Sequence, residues 1–88
     1  MKVIVKKITE SELMELGVSG WPIWSKERSI FPWEYDSEEQ CYILEGKVNV
    51  TAYGKKYSFG KGDFVIFPKG MKCEWEIVED VRKHYKFS

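Results

Sequence analysis

The chain has 88 residues, which is enough for one domain and leaves no room for a second core. Lys plus Arg and Asp plus Glu both number 14, so the formal net charge is zero, which argues against nucleic acid or an anionic membrane as the main partner. No stretch has the ~20 apolar residues of a membrane span, and the N-terminus lacks the features of a signal peptide. We predict one cytoplasmic domain, residues 1–88, whose many Lys and Glu residues suit a heat-tolerant protein.

The N-terminal segment predicts one strand and one short helix. Residues 2–8 alternate loosely and form the first predicted strand. Thr9 and Glu12 have the spacing of a capping box, so a helix is predicted to begin there and to continue through Leu16. Gly17 is predicted to end it.

After Gly20 the hydrophobic pattern changes to a period of two, which is typical of β-strands. The predicted strands are Trp21 to Trp24, Ile30 to Tyr35, Glu38 to Glu45, Lys47 to Tyr53, Lys55 to Phe59, Phe64 to Phe67, Lys72 to Val78 and Val81 to Phe87. Gly46 is predicted to turn the chain between two of them. Eight or nine short strands with regular turns indicate an all-β sandwich or small barrel.

The alternation also predicts an inward carboxylate. Glu39 shares a strand face with Cys41 and Ile43, which are apolar. A buried carboxylate is costly unless it is paired or hydrogen-bonded, so an inward one is a candidate functional group.

Two motifs in this region resemble those of the cupin superfamily. In the first motif, Glu39, the six residues QCYILE and Gly46 match a Glu-x6-Gly pattern. Its two histidine positions fall on Trp33 and Tyr35.

The second motif is matched by Gly62, the five residues DFVIF and Pro68-Lys69-Gly70. Its histidine position falls on Cys73 and its asparagine position on Ile77. The resemblance implies an RmlC-like jelly-roll β-barrel with one short N-terminal helix.

Within the cupins, the chain resembles the small single-domain branch grouped with (S)-ureidoglycine aminohydrolase. The similarity lies in the W-x-Y-x-x-x-E run, in FPKGMKCEWEI and in VRKHY. The chain is similar to small bacterial members of that branch that have no assigned function, and the resemblance associates the barrel with C–N hydrolysis or isomerase-type chemistry.

The resemblance also defines what a metal site would need. A cupin metal site uses three imidazoles and one carboxylate, but here Glu39 and Cys73 are the ligating side chains that remain. Tight sites need three or four protein ligands, so we predict no tightly bound metal, with a weakly bound transition metal as the runner-up. His84 is interpreted as a solvent-facing residue.

Aromatic residues around one carboxylate predict a ligand pocket in the barrel mouth, with core packing as the competing interpretation. The predicted ligand-binding residues are Trp24, Trp33, Tyr35, Glu39, Cys73, Trp75, Lys83 and Tyr85. The expected ligand is a small polar or nitrogen-containing metabolite.

Whether the protein is an enzyme is left open by the sequence. If it is, Glu39 is the predicted catalytic acid/base, Tyr35 binds the substrate, Cys73 takes the vacated metal position and Lys83 balances charge. Cys41 and Cys73 are interpreted as reduced, space-filling thiols rather than nucleophiles. The alternatives are a ureidoglycine aminohydrolase-like metal enzyme, a sugar-binding or accessory module, and a homodimer formed through an edge strand.

Overall fold

The computed structural model describes residues 2–88, and in this range the chain forms seven strands, one α-helix and a short 3-10 helix. The strands are β1 (Ile4–Lys7), β2 (Ile23–Lys26), β3 (Ser29–Glu34), β4 (Glu39–Ala52), β5 (Lys55–Gly60), β6 (Asp63–Phe67) and β7 (Lys72–Phe87). The helix α1 spans Glu10–Leu16, and the 3-10 helix spans Val18–Gly20. The prediction of an all-β, cupin-like fold with one short N-terminal helix is confirmed. None of the helices in the described range is long and apolar enough to cross a membrane.

Helix α1 begins and ends where the sequence predicts. The Thr9 hydroxyl accepts a hydrogen bond from the Glu12 amide at 3.2 Å, and the Glu12 carboxylate accepts one from the Thr9 amide at 3.3 Å. This capping box satisfies amides that the first turn would otherwise leave unpaired. Gly17 follows the helix in the left-handed conformation, with φ of +70°.

Two long strands organise the barrel, because each pairs with different neighbours along its length. Along β4, residues 39–42 pair with β6 and residues 47–52 pair with β5. Along β7, residues 72–77 pair with β3 and residues 81–84 pair with β2. The strands β4 and β7 also pair with each other, and β1 extends the sheet beyond β6. All of these pairings are antiparallel.

The predicted turn at Gly46 is wrong, and so is the predicted break between Val78 and Val81. Both strands are continuous there, so the described residues form seven strands rather than eight or nine. The β4–β7 register shifts between Ile43 and Val48, which lets β4 bend without ending. Gly46 has φ of +102°, and a Cβ at this position would lie 2.8 Å from the Glu79 carbonyl oxygen. The bend therefore depends on glycine.

The irregularity also changes which side chains of β4 face inward. Before it, the buried positions are the odd-numbered Glu39, Cys41 and Ile43. After it, they are the even-numbered Val48, Val50 and Ala52. The strand therefore keeps one inward face around the barrel although its alternation changes phase.

The second strand begins later than predicted. The Trp21 amide donates to the Val18 carbonyl oxygen at 2.9 Å, which keeps Trp21 in the preceding 3-10 turn. The next residue, Pro22, has no N–H to donate to a strand ladder. The strand β2 therefore begins at Ile23 rather than at Trp21, and it extends to Lys26.

Aromatic rings form the centre of the core. Phe67 is fully buried and stacks on Tyr35 with the ring centroids 5.1 Å apart and an interplanar angle of 9°. Phe59 and Trp75 contact the same phenylalanine at centroid distances of 5.8 and 5.6 Å. These rings fix the positions of Tyr35 and Trp75, which also line a cavity.

Candidate functional site

A cavity of about 230 Å³ is lined mainly by residues of β2, β3, β4 and β7. Most of its wall is aromatic, and one carboxylate and one ammonium group interrupt it. The lining residues are Trp24, Phe31, Trp33, Tyr35, Glu39, Trp75, Lys83, Tyr85 and Phe87. An apolar wall with few polar anchors is the usual composition of a small-molecule site.

Glu39 lies at the centre of the polar part of this wall, and both of its carboxylate oxygens are hydrogen-bonded. The Tyr35 hydroxyl donates to Oε1 at 2.8 Å, and Lys83 Nζ donates to Oε2 at 2.6 Å. Glu39 and Lys83 are the charged residues that are buried in the described range, at 2% and 5% exposure. Pairing offsets part of the cost of removing both charges from water.

The backbone brings these three groups together from separate elements. Glu39 is the first residue of β4, and Lys83 lies in the half of β7 that pairs with the same part of β4. Tyr35 directly follows β3, where its amide donates to the Met71 carbonyl oxygen at 2.9 Å and its carbonyl oxygen accepts from the Gly70 amide at 2.6 Å. The Pro68-Lys69-Gly70 turn of the second motif therefore fixes the position of Tyr35.

Lys83 is also enclosed by indole rings. Its Nζ lies 4.9 Å from the centroid of Trp24 and 4.6 Å from that of Trp75. Trp24 is its register partner on β2, so sheet pairing itself sets one of these contacts. Cation–π attraction stabilises a partly desolvated ammonium in this position.

One buried donor in the wall has no partner among the described residues. Trp75 is 2% exposed and lines the cavity, and its indole Nε1 has no hydrogen bond. A buried N–H without a partner costs free energy. The Nε1 atom is itself shielded, since less than 1 Å² of its surface is exposed.

The environment suppresses ionisation of the nearby phenol and thiols. Burial first, and then the Glu39 charge and hydrogen bond, raise the pKa of Tyr35 well above its ordinary value. Burial raises the pKa of Cys41 to about 12. Burial and then Glu39 raise the pKa of Cys73 to about 11. At neutral pH both sulfurs are thiols, which favours the space-filling interpretation over the nucleophilic one.

Seven of the eight predicted ligand-binding residues line the cavity: Trp24, Trp33, Tyr35, Glu39, Trp75, Lys83 and Tyr85. Cys73 does not. It lines a shallow groove with Pro32, Glu34 and Lys72, and its Sγ lies 3.6 Å from the Trp33 carbonyl oxygen. In the β3–β7 register, Cys73 is the partner of Trp33, which lines both this groove and the cavity.

Two lining residues, Phe31 and Phe87, are missing from the predicted set. Both could have been found by extending the alternation used for their neighbours. Phe31 is two residues before Trp33, and Phe87 is two residues after Tyr85. The prediction for His84 is wrong, since this residue is half-buried and its Nδ1 lies 2.9 Å from the Trp21 carbonyl oxygen.

The residues at the cupin metal positions do not fit a metal ion. Trp33 has no donor for a metal, and Tyr35 would have to lose a proton that burial and Glu39 retain. Both oxygens of Glu39 are already engaged, and one of them is bound by the Lys83 cation. The described residues also contain no cluster of three or more His, Cys, Asp or Glu side chains that could hold a metal. This donor set suits an organic ligand better than a metal.

Comparisons with known proteins agree with the fold and with the motifs. The model of the EutQ-like cupin domain matches residues 13–85. A DUF861 family protein of Thermotoga maritima, known from a crystal structure, is 56% identical with a TM-score of 0.97, over 99% of this chain and 100% of that one. The Clostridioides difficile EutQ structure is 23% identical with a TM-score of 0.70, over 97% of this chain and 66% of that one, and it supports the fold alone.

Among curated proteins, the chain is similar to the acetate kinase EutQ of C. difficile strain 630. The two are 20% identical over an alignment that covers 97% of this chain. The chain spans 66% of the length of that relative. Since the family model covers most of the sequence, the chain belongs to the EutQ-like cupin domain family.

Proposed function

We propose that the protein binds a small polar metabolite in the aromatic cavity, with Glu39 and Lys83 as the polar anchors and without a tightly held metal. The observation that carries the proposal is the burial of this ion pair in the wall of an accessible cavity. A buried ion pair is seldom needed for stability, because well-packed apolar residues in its place often give an equal or larger free energy of unfolding. Its position against the cavity is better explained by a ligand that uses it.

The hydrogen-bonding groups left free define the ligand. One N–H of Lys83 donates to Glu39, which leaves two ammonium donors. Each carboxylate oxygen of Glu39 can accept a further hydrogen bond. A ligand that combines an acceptor, such as a carbonyl oxygen, with an N–H or O–H donor would match both sets.

Charge and size narrow the choice further. Glu39 and Lys83 together are neutral, so a ligand with net charge would bring an uncompensated charge among aromatic rings. The cavity of about 230 Å³ is below the ~300–1,000 Å³ of typical drug-sized sites. A small neutral or zwitterionic metabolite is therefore favoured over a nucleotide. For this reason the acetate kinase activity of the C. difficile relative does not suit this cavity.

An enzymatic role of the same site is the second candidate, and the position of Glu39 favours it. An anchored carboxylate beside a phenol and an ammonium can exchange protons with a bound substrate. A metal-dependent reaction like that of ureidoglycine aminohydrolase receives less support, because the side chains at the metal positions do not form a ligand set. Turnover that is lost in Glu39→Gln while binding persists would distinguish an enzyme from a binding module.

The first experiment is native mass spectrometry of small molecules that remain bound to the purified protein. A retained compound is then added back in a thermal-shift assay. At a concentration 100-fold above its Kd it should stabilise the protein by about 2.7 kcal/mol. The Glu39→Gln and Trp33→Ala variants should lose most of this stabilisation.

Matched controls are available on the same strands. Glu45→Gln removes an exposed carboxylate from β4, and Ile30→Ala shortens a side chain of β3 that is 64% exposed. Both controls should respond like the parent. If Glu39→Gln and Trp33→Ala also respond like the parent, the ligand binds elsewhere and the proposal is wrong.

A further inference from the structure

Lys83 has surroundings unlike those of the other ion-paired lysines in the described range. The side chains of Lys7 and Lys47 are 78% and 69% exposed in their ion pairs, whereas that of Lys83 is 6% exposed. Its amino group lies in the wall of the cavity, between a carboxylate and two indole faces. Exposed lysines improve solubility, but a desolvated amine beside a proton acceptor has the arrangement of a nucleophile.

We infer that Lys83 is the nucleophile of a carbonyl-binding site, which captures a small aldehyde or ketone as a protonated imine. This inference deepens the proposed function and rests on it, since it names the chemistry by which the same cavity would hold its ligand. Glu39 is the proton carrier of the site, and Tyr35 is a positioning residue.

The short contact between Lys83 and Glu39 explains how the amine becomes reactive. The amine attacks only after losing a proton, and Glu39 Oε2 accepts from it at 2.6 Å. One proton transfer across this contact removes both buried charges and leaves a neutral amine beside a carboxylic acid in the cavity wall. An exposed lysine lacks this advantage, because water stabilises its ammonium form.

The reaction balances with the groups that are present. Lys83 transfers a proton to Glu39, and the free amine attacks the carbonyl carbon while the carbonyl oxygen takes the proton from Glu39. The carbinolamine nitrogen then returns a proton to Glu39, which delivers it to the departing hydroxyl as water is released. The products are a protonated imine on Lys83, a carboxylate on Glu39 and one water, with no oxidant or reductant required.

The remaining residues suit the product of this reaction. The iminium cation would occupy the position of the ammonium, over the rings of Trp24 and Trp75. The hydrogen bond from Tyr35 occupies Oε1 and leaves Oε2 directed at the reacting nitrogen. Arginine would suit a permanent buried ion pair better than lysine does, whereas imine formation requires lysine.

The test is reductive trapping with propanal and sodium cyanoborohydride on the native protein at neutral pH. With aldehyde kept limiting, peptide mapping by mass spectrometry gives the rate of propylation at each lysine. Lys86 is the internal control, because it is exposed and lies three residues further along the same strand. Lys83 should be modified about 10²-fold faster than Lys86, which is the lower end of the usual contribution of a positioned acid–base group.

Two variants sharpen the result. Lys83→Arg keeps the positive charge and should remove the fast modification, and Glu39→Gln should reduce the rate at Lys83 to about that at Lys86. The central comparison is made within one folded parent chain, so it does not depend on how the variants fold. Modification of Lys83 at or below the rate of Lys86 overturns the inference. If a retained metabolite still stabilises the protein in that case, the binding proposal stands and the carbonyl chemistry alone fails.

Discussion

Three ion pairs join the strands β4 and β7, and two of them, formed by the adjacent residues Lys83 and Arg82, differ mainly in their access to water. Lys83 pairs with Glu39 at 2.6 Å, and its chain neighbour Arg82 pairs with Glu45 at 2.9 Å. Strand alternation places Lys83 and Arg82 on opposite faces. The side chains of the inner pair are 6% and 3% exposed, and those of the outer pair are 45% and 62% exposed.

The comparison shows that contact distance alone does not decide what an ion pair contributes. In the outer pair, water solvates both charges whether or not they meet, so the contact adds little. In the inner pair, each charge depends on its partner, on the Tyr35 hydroxyl and on the indole faces, because water is largely excluded. A substitution in the inner pair should therefore change both the reactivity of the site and the free energy of unfolding, whereas one in the outer pair should change neither by much.

The largest expected effect comes from removing one inner partner. Lys83→Met should lower the free energy of unfolding by about 3–5 kcal/mol, because Glu39 is left as an unpaired buried charge. The double variant Glu39→Gln with Lys83→Met should recover much of this loss, since no isolated charge remains. Urea denaturation of the parent and the two variants measures both changes. An unchanged midpoint for Lys83→Met would show that Glu39 is solvated in the native protein.

The second prediction concerns the thiol of Cys73, whose pKa is raised from 9.0 to about 11. Two units in the pKa lower the thiolate fraction at neutral pH about 100-fold, so alkylation by iodoacetamide should be slower by a similar factor than for an ordinary thiol. Burial is the largest cause and the Glu39 charge is the second. Removing that charge stabilises the thiolate, so Glu39→Gln should lower the pKa and speed alkylation at a given pH.

Glu45→Gln is the matched control for this prediction, because it removes the carboxylate of the outer pair. Its alkylation rate should follow that of the parent from pH 7 upward. If Glu39→Gln and Glu45→Gln change the alkylation rate equally, the charge of Glu39 has no specific effect on the pKa of Cys73.

The sequence predicted the fold well because two motifs specify it locally. The Pro68-Lys69-Gly70 turn and the spacing from Glu39 to Gly46 are short-range features, and the structure shows the first one holding the Tyr35 backbone. The role of Gly46 was misread because a glycine between two alternating runs is as typical of a turn as of a bulge. The distinction depends on close approach to the β7 backbone, which is a tertiary contact.

The candidate site was predicted in part, for a similar reason. Alternation indicated that Glu39 shares an inward face with Cys41 and Ile43. It could not show that Glu39 and Lys83 meet at 2.6 Å, because the strands that carry them are 44 residues apart in the sequence. Nor could it show that Cys73 lies outside the cavity, since that depends on its contact with the Trp33 carbonyl oxygen.

The third prediction tests the bend of β4 at Gly46, which follows both Glu39 and Glu45 in the strand. Gly46→Ala and Gly54→Ala both place alanine at positive φ, which costs roughly 1–3 kcal/mol. At Gly54 a Cβ would meet nothing within 4 Å, whereas at Gly46 it would lie 2.8 Å from the Val81 Cα. Gly46→Ala should therefore lower the free energy of unfolding by about 1–3 kcal/mol more than Gly54→Ala, by analogy with overpacked cores. Equal losses in urea denaturation would show that the β4–β7 backbones separate without cost.

The smallest effect is expected for the outer pair, where Arg82→Ala and Glu45→Gln should each change the free energy of unfolding by about 0–1 kcal/mol. Their coupling in a double-mutant cycle should fall further as salt rises from 0.05 to ~0.5 M, because exposed charges are screened. The coupling between Lys83 and Glu39 should be several-fold larger and should change little over the same range, because these side chains are only 6% and 3% exposed. If both coupling energies fall in parallel as salt rises, water and ions in the cavity screen the Lys83–Glu39 pair. In that case Lys83 is an ordinary solvated amine, and its proposed reactivity loses its physical basis.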